Sequence, residues 1–182
     1  WGGEKMISSE RLILRPVMMC DRFDIFDYSK NENIGRNAGW APHSSIDETE
    51  SILDDIFIGK DGIFSIILKE RPKVIGTIGL TDDPARSNPS SRMLGYSLSE
   101  EYWGKGYMTE AVNSVLKYGF ENMGLSIITA NCYAENSRSR SVLKKCGFIY
   151  EGTLRSCALS CDGVLHGCEF YSITIDEYKK AV

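Results

Sequence analysis

The sequence predicts a mixed α/β fold in which about seven strands and four helices form one domain. Short runs rich in β-branched and aromatic residues alternate with helical patterns along the chain. Two of these runs, Ile63 to Leu68 and Val74 to Thr81, are separated by the turn Glu70-Arg-Pro-Lys73, which is typical of a hairpin. Two later strands each lead within a few residues into a helix with an apolar inner face. An alternation of this kind places the chain in the mixed α/β class.

The predicted elements follow the order β-α-α-β-β-β-α-β-α-β-β. The strands are Arg11 to Arg15, Ile63 to Leu68, Val74 to Thr81, Met93 to Leu98, Ser126 to Tyr133, Phe148 to Leu154 and Val164 to Ile175. The helices are Asp21 to Lys30, Asp47 to Ile58, Tyr107 to Phe120 and Ser137 to Lys145. The last two strands flank Ser160-Cys-Asp-Gly163, which predicts a closing antiparallel pair. No linker or repeat divides the chain, so residues 6–182 are expected to form a single domain.

Composition narrows the class of protein. A chain of 182 residues suits one domain with a sizeable core. A net charge of −4 argues against a nucleic-acid partner, and no apolar run reaches the ~20 residues of a membrane span. No signal peptide is visible, so a cytoplasmic location is expected. Trp1-Gly-Gly-Glu-Lys precedes Met6, which suggests that Met6 is the natural start and residues 1–5 a remnant of cloning.

The six cysteines are expected to be free thiols. The chain is long enough to build a core without disulfides, and a reducing cytoplasm would keep them reduced. No Cys-x-x-Cys pair occurs, and the two histidines, His43 and His166, are far apart in sequence. A metal site is therefore not expected.

A glycine turn between a strand and a helix is the strongest local signal. The strand Met93 to Leu98 leads through Gly104-Lys-Gly106 into a helix whose inner face holds Ala111, Val112 and Val115. A helix N-terminus presents backbone N–H groups without intrahelical partners, and glycines leave them uncovered. The turn therefore predicts a site for a pyrophosphate. Glycines that serve only to make the bend are the alternative interpretation of this segment alone.

A second strand–helix segment strengthens that interpretation. The strand that ends at Tyr133 is followed by Asn136-Ser-Arg-Ser139, where Asn136 or Ser137 can cap a helix. Val142 and Leu143 supply the inner face of this helix, and Gly147 ends it.

Together the two segments resemble the GNAT family of acyl-CoA-dependent N-acyltransferases, and most closely its ribosomal-protein N-terminal acetyltransferase (RimJ/RimL-type) branch. The motifs are Trp103-Gly-Lys-Gly-Tyr-Met-Thr-Glu-Ala111, Asn136-x-x-Ser139, Leu143-x-Lys145-x-Gly147-Phe148 and Glu151-Gly152. The first strand, Ser9 to Pro16, and the segment Trp40-Ala-Pro-His43 also fit this branch. The resemblance covers nearly the whole chain. It implies a twisted mixed sheet with helices on both faces and an acetyl-CoA-dependent N-acetyltransferase.

The resemblance also implies roles for individual residues. Gly104 and the N–H groups of the four residues that follow would hold the pyrophosphate of acetyl-CoA: Lys105, Gly106, Tyr107 and Met108. The pantetheine arm would lie along Tyr96 to Leu98 where this strand splays from the next, with a backbone N–H near Leu98 facing the thioester oxygen. Asn136 would bind the pantetheine amide, and Ser139 would lie near the sulfur and act as the acid. Capping a helix is the alternative role for Asn136. Ser139 could act directly or through water, and its alternative is a solvent-facing serine in the first helical turn. Some basic residues near this end are expected to meet the phosphates: Lys105, Arg138, Arg140, Lys144 and Lys145.

The acceptor side is less well defined by the sequence. Trp40 and His43 are expected to line the groove for a primary amine, which could be a protein N-terminus or a small molecule. The RimJ/RimL-type branch carries a glutamate after Glu151-Gly152, but Arg155-Ser-Cys-Ala158 has none. Candidate general bases are His43, Asp82 and Glu169, and proton transfer through ordered water is equally possible. A monomer and a homodimer are both compatible with the resemblance.

Two other classes of function are alternatives to an acetyltransferase. A nicotinamide-dependent oxidoreductase would use Gly104-x-Gly106 as its dinucleotide turn, with Glu135 on a ribose. Thr109 stands where the third glycine of that motif belongs, and the turn lies in the middle of the chain. A CoA-binding module without catalysis would have the same fold, and the missing glutamate is its main support.

Overall fold

The computed structural model describes residues 6–181. The predicted cloning remnant at residues 1–5 lies outside this range. One mixed sheet of eight strands contains every strand of the described residues. The strands are β1 (Ile7–Ser8), β2 (Leu12–Pro16), β3 (Ile63–Leu68), β4 (Val74–Thr81), β5 (Ser91–Leu98), β6 (Ile127–Tyr133), β7 (Ile149–Leu159) and β8 (Leu165–Thr174). Their spatial order is β1-β2-β3-β4-β5-β6-β8-β7, and only β5 and β6 pair in parallel.

Six α-helices accompany the sheet within the described residues. They are α1 (Arg22–Ser29), α2 (Glu32–Ala38), α3 (Ile46–Ile52, continued by a π-helical turn over Leu53–Phe57), α4 (Tyr107–Glu121), α5 (Ser137–Lys145) and α6 (Ile175–Ala181). Short 3-10 turns at Met19–Asp21 and Glu100–Tyr102 precede α1 and α4.

Strand β3 shows why the sheet has helices on both faces. Successive side chains of a strand point to opposite faces. Phe64 and Ile66 join a core cluster with α4 and α5, whereas Ile63 belongs to a second cluster with α1 and the end of α3. Burial on both faces makes the strand a nearly continuous apolar run. The predicted mixed sheet with helices on both faces is confirmed.

Four elements differ from the sequence prediction. Strand β7 continues past its predicted end at Leu154 to Leu159. The two-residue strand β1 pairs Ile7 with Leu14 at the edge of the sheet and is too short to give a periodic pattern. Helix α2 contains Gly35 and little apolar sequence, yet Asn31 caps it by accepting a hydrogen bond from the Asn33 N–H at 2.9 Å. The last predicted strand ends at Thr174, and Ile175–Ala181 is helical, since Thr174 forms hydrogen bonds with Glu177 at the start of α6.

The parallel pair β5–β6 separates half-way along its length. Pairing runs from Ser91↔Ile127 to Leu94↔Ala130 and then stops. Beyond Leu94, β5 stays paired with β4 as far as Leu98↔Gly76, while β6 stays paired with β8. The predicted divergence of these strands is therefore confirmed, and it opens a gap in the sheet directly before the glycine turn.

Candidate active site

The gap between β5 and β6 opens into a cavity of about 750 Å³. One end, called the glycine end, is formed by the turn Gly104–Gly106, the start of α4, Arg138 and Lys145. The opposite end, called the hairpin end, is formed by side chains of α2, β7 and β8: Ile34, Asn37, Ala38, Leu154, Cys157, Ala158, Cys168 and Phe170. Tyr96, Asn136 and Ser139 lie on the walls between the two ends. The cavity thus runs from a helix N-terminus to the last hairpin of the sheet.

The glycine turn exposes a row of backbone donors. Gly104 and Gly106 adopt φ values of 74° and 81°, a conformation that favours glycine. The first backbone bond of α4 runs from the Glu110 N–H to the Gly106 carbonyl at 3.1 Å. Within residues 6–181, the N–H groups from Gly104 to Thr109 have no acceptor. A Cβ at Gly104 would meet no atom within 4 Å, because it would point into open space. The turn therefore has the free donors and the room that a phosphate requires.

Arg11 holds this turn in place, a role that the sequence did not reveal. Its Nη1 donates to the Lys105 carbonyl at 3.0 Å, and its Nε pairs with Glu110 at 2.7 Å. Its guanidinium also lies 4.4 Å from the centre of the Tyr107 ring. Burial opposes ionisation of Glu110, but hydrogen bonds from Arg11 and Ser9 lower its pKa, so the carboxylate stays charged. The turn between β1 and β2 is thereby tied to the glycine end.

The basic residues near the glycine end have different roles. Arg138 stacks on Trp103 with 4.1 Å between its guanidinium carbon and the ring centre, and Lys145 also lines the cavity. Arg140 is engaged elsewhere, because its Nε and Nη2 donate to Glu169 at 2.8 and 2.9 Å. Arg138 and Lys145 are thus the cations placed to meet an anion, and Arg140 is not.

Asn136 and Ser139 lie on the cavity wall, one helical turn apart. The Asn136 side chain caps α5 by accepting from the Ser139 N–H at 3.1 Å, and its Nδ2 donates to the Asn37 carbonyl at 3.3 Å. The Ser139 hydroxyl is 2.8 Å from the Tyr96 hydroxyl, a partner that the sequence did not predict. Burial raises the pKa of Tyr96, so its phenol stays protonated and can donate to Ser139.

Trp40 and His43 do not line the cavity. Their rings lie 5.2 Å apart, and Trp40 packs against the core cluster that contains α1 and the end of α3. His43 is buried, and its Nδ1 is 2.9 Å from the Thr49 hydroxyl. Burial lowers the pKa of His43, which keeps the ring neutral. The contact of these two residues with an acceptor remains a prediction.

The other two candidate bases are also outside the cavity lining. The Asp82 side chain is 98% exposed and lies 3.7 Å from Arg92. Glu169 accepts hydrogen bonds from Arg140 and from the Tyr171 hydroxyl at 2.7 Å. Burial works against the charged form of Glu169, but these bonds lower its pKa. Its carboxylate is thus engaged in holding β8 to α5.

The hairpin end contains functional candidates that the sequence analysis missed. The pairing of β7 with β8 shifts between Leu154 and Ala158, and Ser156 inside this bulge adopts φ 49°. Bulges re-aim side chains, and here Cys157 and Ala158 both line the cavity. Across the cavity lies α2, whose Arg36 is 4.0 Å from Asp162 in the β7–β8 turn. A non-glycine residue at positive φ gives no signal in the sequence.

Metal-binding clusters and membrane-spanning helices are both absent from the described residues. Residues 6–181 contain no group of three or more His, Cys, Asp or Glu side chains that could hold a metal ion. None of the helices in this range is long and apolar enough to cross a membrane. All six cysteines are free thiols.

Comparison with known proteins identifies the family. The model of the acetyltransferase (GNAT) domain matches residues 11–149, which is more than half of the chain. The uncharacterized N-acetyltransferase YoaA of Bacillus subtilis (strain 168) is 30% identical over 172 residues, covering 92% of this chain and 96% of YoaA. A GNAT acetyltransferase structure from Bacillus anthracis superposes with a TM-score of 0.83 at 24% identity, covering 93% of this chain and 98% of that one. The chain belongs to the GNAT acetyltransferase family.

Membership of this family makes the chain an N-acetyltransferase and not a nicotinamide-dependent oxidoreductase. Similar proteins with an acceptor in their names differ from one another. The ribosomal protein uS5-alanine N-acetyltransferase of Escherichia coli (strain K12) is 29% identical over 89 residues, covering 49% of this chain and 45% of that protein. A spermidine N-acetyltransferase from Vibrio cholerae, in complex with CoA and spermine, superposes with a TM-score of 0.80 at 23% identity, covering 94% of this chain and 99% of that one.

Proposed function

We propose that the protein transfers the acetyl group of acetyl-CoA to a primary amine by direct attack in a ternary complex. The observation that carries the proposal is the continuity of the cavity from the glycine turn to the hairpin end. A phosphorylated, extended thioester fits the glycine end and the gap between β5 and β6. An amine fits the other end, so both substrates would meet where the strands diverge.

At the glycine end, the pyrophosphate would accept hydrogen bonds from the free N–H groups of the turn and the first turn of α4. These are the predicted binding residues Gly104, Lys105, Gly106, Tyr107 and Met108. The partial positive charge of the 15-residue helix α4 adds to the attraction. Arg138 and Lys145 would neutralise further phosphate charge.

Along the gap, the pantetheine arm would lie beside Tyr96 to Leu98, where β5 no longer pairs with β6. A backbone N–H near Leu98 would hold the thioester oxygen and stabilise the oxyanion that forms when the amine attacks. Asn136 would bind a pantetheine amide. Its Nδ2 donates one N–H to the Asn37 carbonyl and its Oδ1 accepts one bond from the Ser139 N–H, so each atom keeps one further hydrogen-bonding position for the amide.

Ser139 would supply the proton that the departing thiolate needs. As the carbon–sulfur bond breaks, the Ser139 hydroxyl would turn toward the sulfur and give it a proton. The Tyr96 hydroxyl would donate a hydrogen bond to the Ser139 oxygen. The distance of 2.8 Å between the two hydroxyls supports this exchange. Tyr96 thus acts through Ser139, as a positioning residue.

The acceptor is proposed to be a protein or peptide N-terminus or a small amine, and the enzyme to belong to the RimJ/RimL-type branch. The similarity to the ribosomal protein uS5-alanine acetyltransferase supports the branch. A cytoplasmic monomer or homodimer is proposed, and the six free thiols support a reducing compartment.

A thiol-release assay with acetyl-CoA and a panel of peptides and small amines tests the proposal. We expect amine-dependent release of CoA thiol and an acetylated product of matching mass. If no amine on the panel accelerates thiol release although acetyl-CoA binds, the protein is not an acetyltransferase for these amines. If acetyl-CoA does not bind, the assignment of the glycine end is wrong as well.

A further inference from the structure

The charges in the cavity are of one sign. The charged side chains that line it, among residues 6–181, are Arg138 and Lys145, and both lie at the glycine end. No carboxylate of the described residues lines the cavity. An amine that arrives as an ammonium ion would therefore find no opposite charge and no carboxylate to take its proton.

The nearest histidine does not supply the missing base. His166 lies behind Tyr133, with the two rings stacked 4.3 Å apart. Its Nε2 is 3.1 Å from the Ser160 hydroxyl, and its Nδ1 is 3.5 Å from Glu135. Tyr133 lines the cavity and separates the imidazole from it. Both ring nitrogens are thus directed at other partners.

Burial favours the protonated form of two phenols and two thiols that line the cavity. Burial raises the pKa of Tyr96, Tyr133 and Cys132. It also raises the pKa of Cys168 to about 12, with a further contribution from the neighbouring Cys157. Groups that remain protonated near neutral pH are poor acceptors of a proton from an ammonium ion.

The hairpin end has a largely apolar surface. Ile34 and Ala38 of α2 face the cavity on one side, and Leu154, Ala158 and Phe170 of the hairpin on the other. Placing a second charged group against these side chains would cost its hydration without a compensating partner. A polyamine or a strongly charged peptide therefore fits this end poorly.

We infer that the acceptor is a weakly basic amine that enters the cavity already uncharged, carried on a body without further charge. The inference rests on the proposed acetyl transfer and specifies which amines it uses. The neutral nitrogen attacks the thioester carbon, the carbon–sulfur bond breaks, and the nitrogen loses one proton while the sulfur gains one. Because the nitrogen loses one proton and the sulfur gains one, no external base is required. Ser139 or a water molecule can carry the proton from the nitrogen to the sulfur.

The neutral fraction of the amine then sets the rate. At pH 7.5 about a quarter of an α-amine is neutral, whereas a lysine ε-amine is neutral in about one molecule in a thousand. This difference favours the α-amine on the order of a hundredfold. At pH 9.5 the α-amine is almost fully neutral and the ε-amine about one-tenth neutral, so the ratio falls to about ten.

Two isomers of formyl-lysine amide provide a matched test. One carries the formyl group on the ε-nitrogen and leaves the α-amine free, and the other has the reverse arrangement. We would measure kcat/KM for each isomer at saturating acetyl-CoA, at pH 7.5 and at pH 9.5. The expected result is a preference for the free α-amine that shrinks about tenfold or more between the two pH values.

Three outcomes would overturn the inference. One is equal use of the two isomers at pH 7.5, and the second is a preference for the α-amine that does not change with pH. The third is a reaction with other amines but with neither isomer, because contacts would then select the acceptor instead of its basicity. If no amine reacts at either pH, the proposed acetyl transfer itself has failed.

Discussion

The two ends of the cavity offer opposite kinds of surface to a ligand. The glycine end offers backbone N–H groups, a helix dipole and two cations to an anion. The hairpin end offers apolar side chains and thiols from α2, β7 and β8. Backbone donors can hold any pyrophosphate, whatever side chains surround them. We therefore expect specificity for the acceptor to come from side chains at the hairpin end.

The glycine end and the middle of the cavity would contribute differently to the reaction. The glycine end would contribute affinity, because its contacts are far from the reacting carbonyl and exist before and after attack. The middle of the cavity, at Tyr96 and Ser139, would contribute rate, because a thiolate forms only as the intermediate collapses. Substitutions should therefore divide into those that change binding of acetyl-CoA and those that change turnover.

Replacing Ser139 with Ala should give the largest effect on turnover. The variant loses the proposed proton donor at the sulfur, so kcat should fall about ten- to a thousandfold while acetyl-CoA affinity stays nearly intact. Calorimetric titration and steady-state kinetics measure the two quantities separately. Ser137→Ala is a suitable control, since Ser137 is exposed, lies in the same helix and does not line the cavity. Wild-type turnover in Ser139→Ala would reduce Ser139 to a residue of the helix start.

Replacing Asn136 with Ala should change binding instead of rate. A pantetheine amide that loses its partner would weaken acetyl-CoA binding by about 1–3 kcal/mol, or roughly 5- to 150-fold. The variant also loses the cap of α5, which costs about 1 kcal/mol of stability. Ser45→Ala provides the comparison, because Ser45 caps α3 by accepting from the Glu48 N–H at 3.1 Å, away from the cavity. Equal affinity in both variants would leave Asn136 with only its capping role.

Replacing Tyr96 with Phe tests the hydrogen bond to Ser139. The loss of one hydrogen bond of about 0.5–1.5 kcal/mol should lower kcat by roughly two- to tenfold and leave the KM for acetyl-CoA unchanged. The same substitution made in Ser139→Ala should have almost no further effect, since Tyr96 acts through Ser139. Additive losses in the double variant would show that the Tyr96 hydroxyl acts independently. Tyr150→Phe removes an exposed phenol elsewhere and serves as the control.

Replacing Trp40 with Ala should give the smallest kinetic effect. Trp40 does not line the cavity, so any influence on the acceptor passes through the position of α2. We expect the KM for the acceptor to rise about threefold, less than 1 kcal/mol, and more than the KM for acetyl-CoA. Thermal unfolding should be measured alongside. Unfolding of the variant at assay temperature would assign Trp40 to the core alone.

The glycine end and the hairpin end also differ in how much of each could be predicted from the sequence. The strand, the turn Gly104–Gly106 and the helix α4 are contiguous, so a local pattern was enough to locate the glycine end. The separation of β5 from β6 followed from the family resemblance. Arg11 was placed in a strand, but its bond to the Lys105 carbonyl joins residues 94 positions apart and could not be inferred.

The hairpin end depends on contacts that are distant in sequence. Helix α2 has an interrupted apolar pattern and is defined by its cap at Asn31 and by its neighbours. Cys157 reaches the cavity because a bulge shifts the register of β7, and Ser156 carries no sign of its positive φ. Trp40 and His43 were expected at the acceptor groove from their position between helices. The structure places their rings against each other, with Trp40 packed on the core and His43 bonded to Thr49.

Binding of acetyl-CoA at the glycine turn is the central claim, and a pair of glycine variants tests it most directly. Gly104 and Gly124 have φ values of 74° and 67°, and a Cβ at either would meet no atom within 4 Å. Gly104→Asp and Gly124→Asp should therefore carry similar backbone strain, but only position 104 faces the cavity. The measurement is the rise in melting temperature on adding acetyl-CoA. A ligand at a hundredfold excess over its Kd raises the free energy of unfolding by about 2.7 kcal/mol. We predict that Gly124→Asp keeps this rise and that Gly104→Asp loses it. An equal rise in both folded variants would contradict the account.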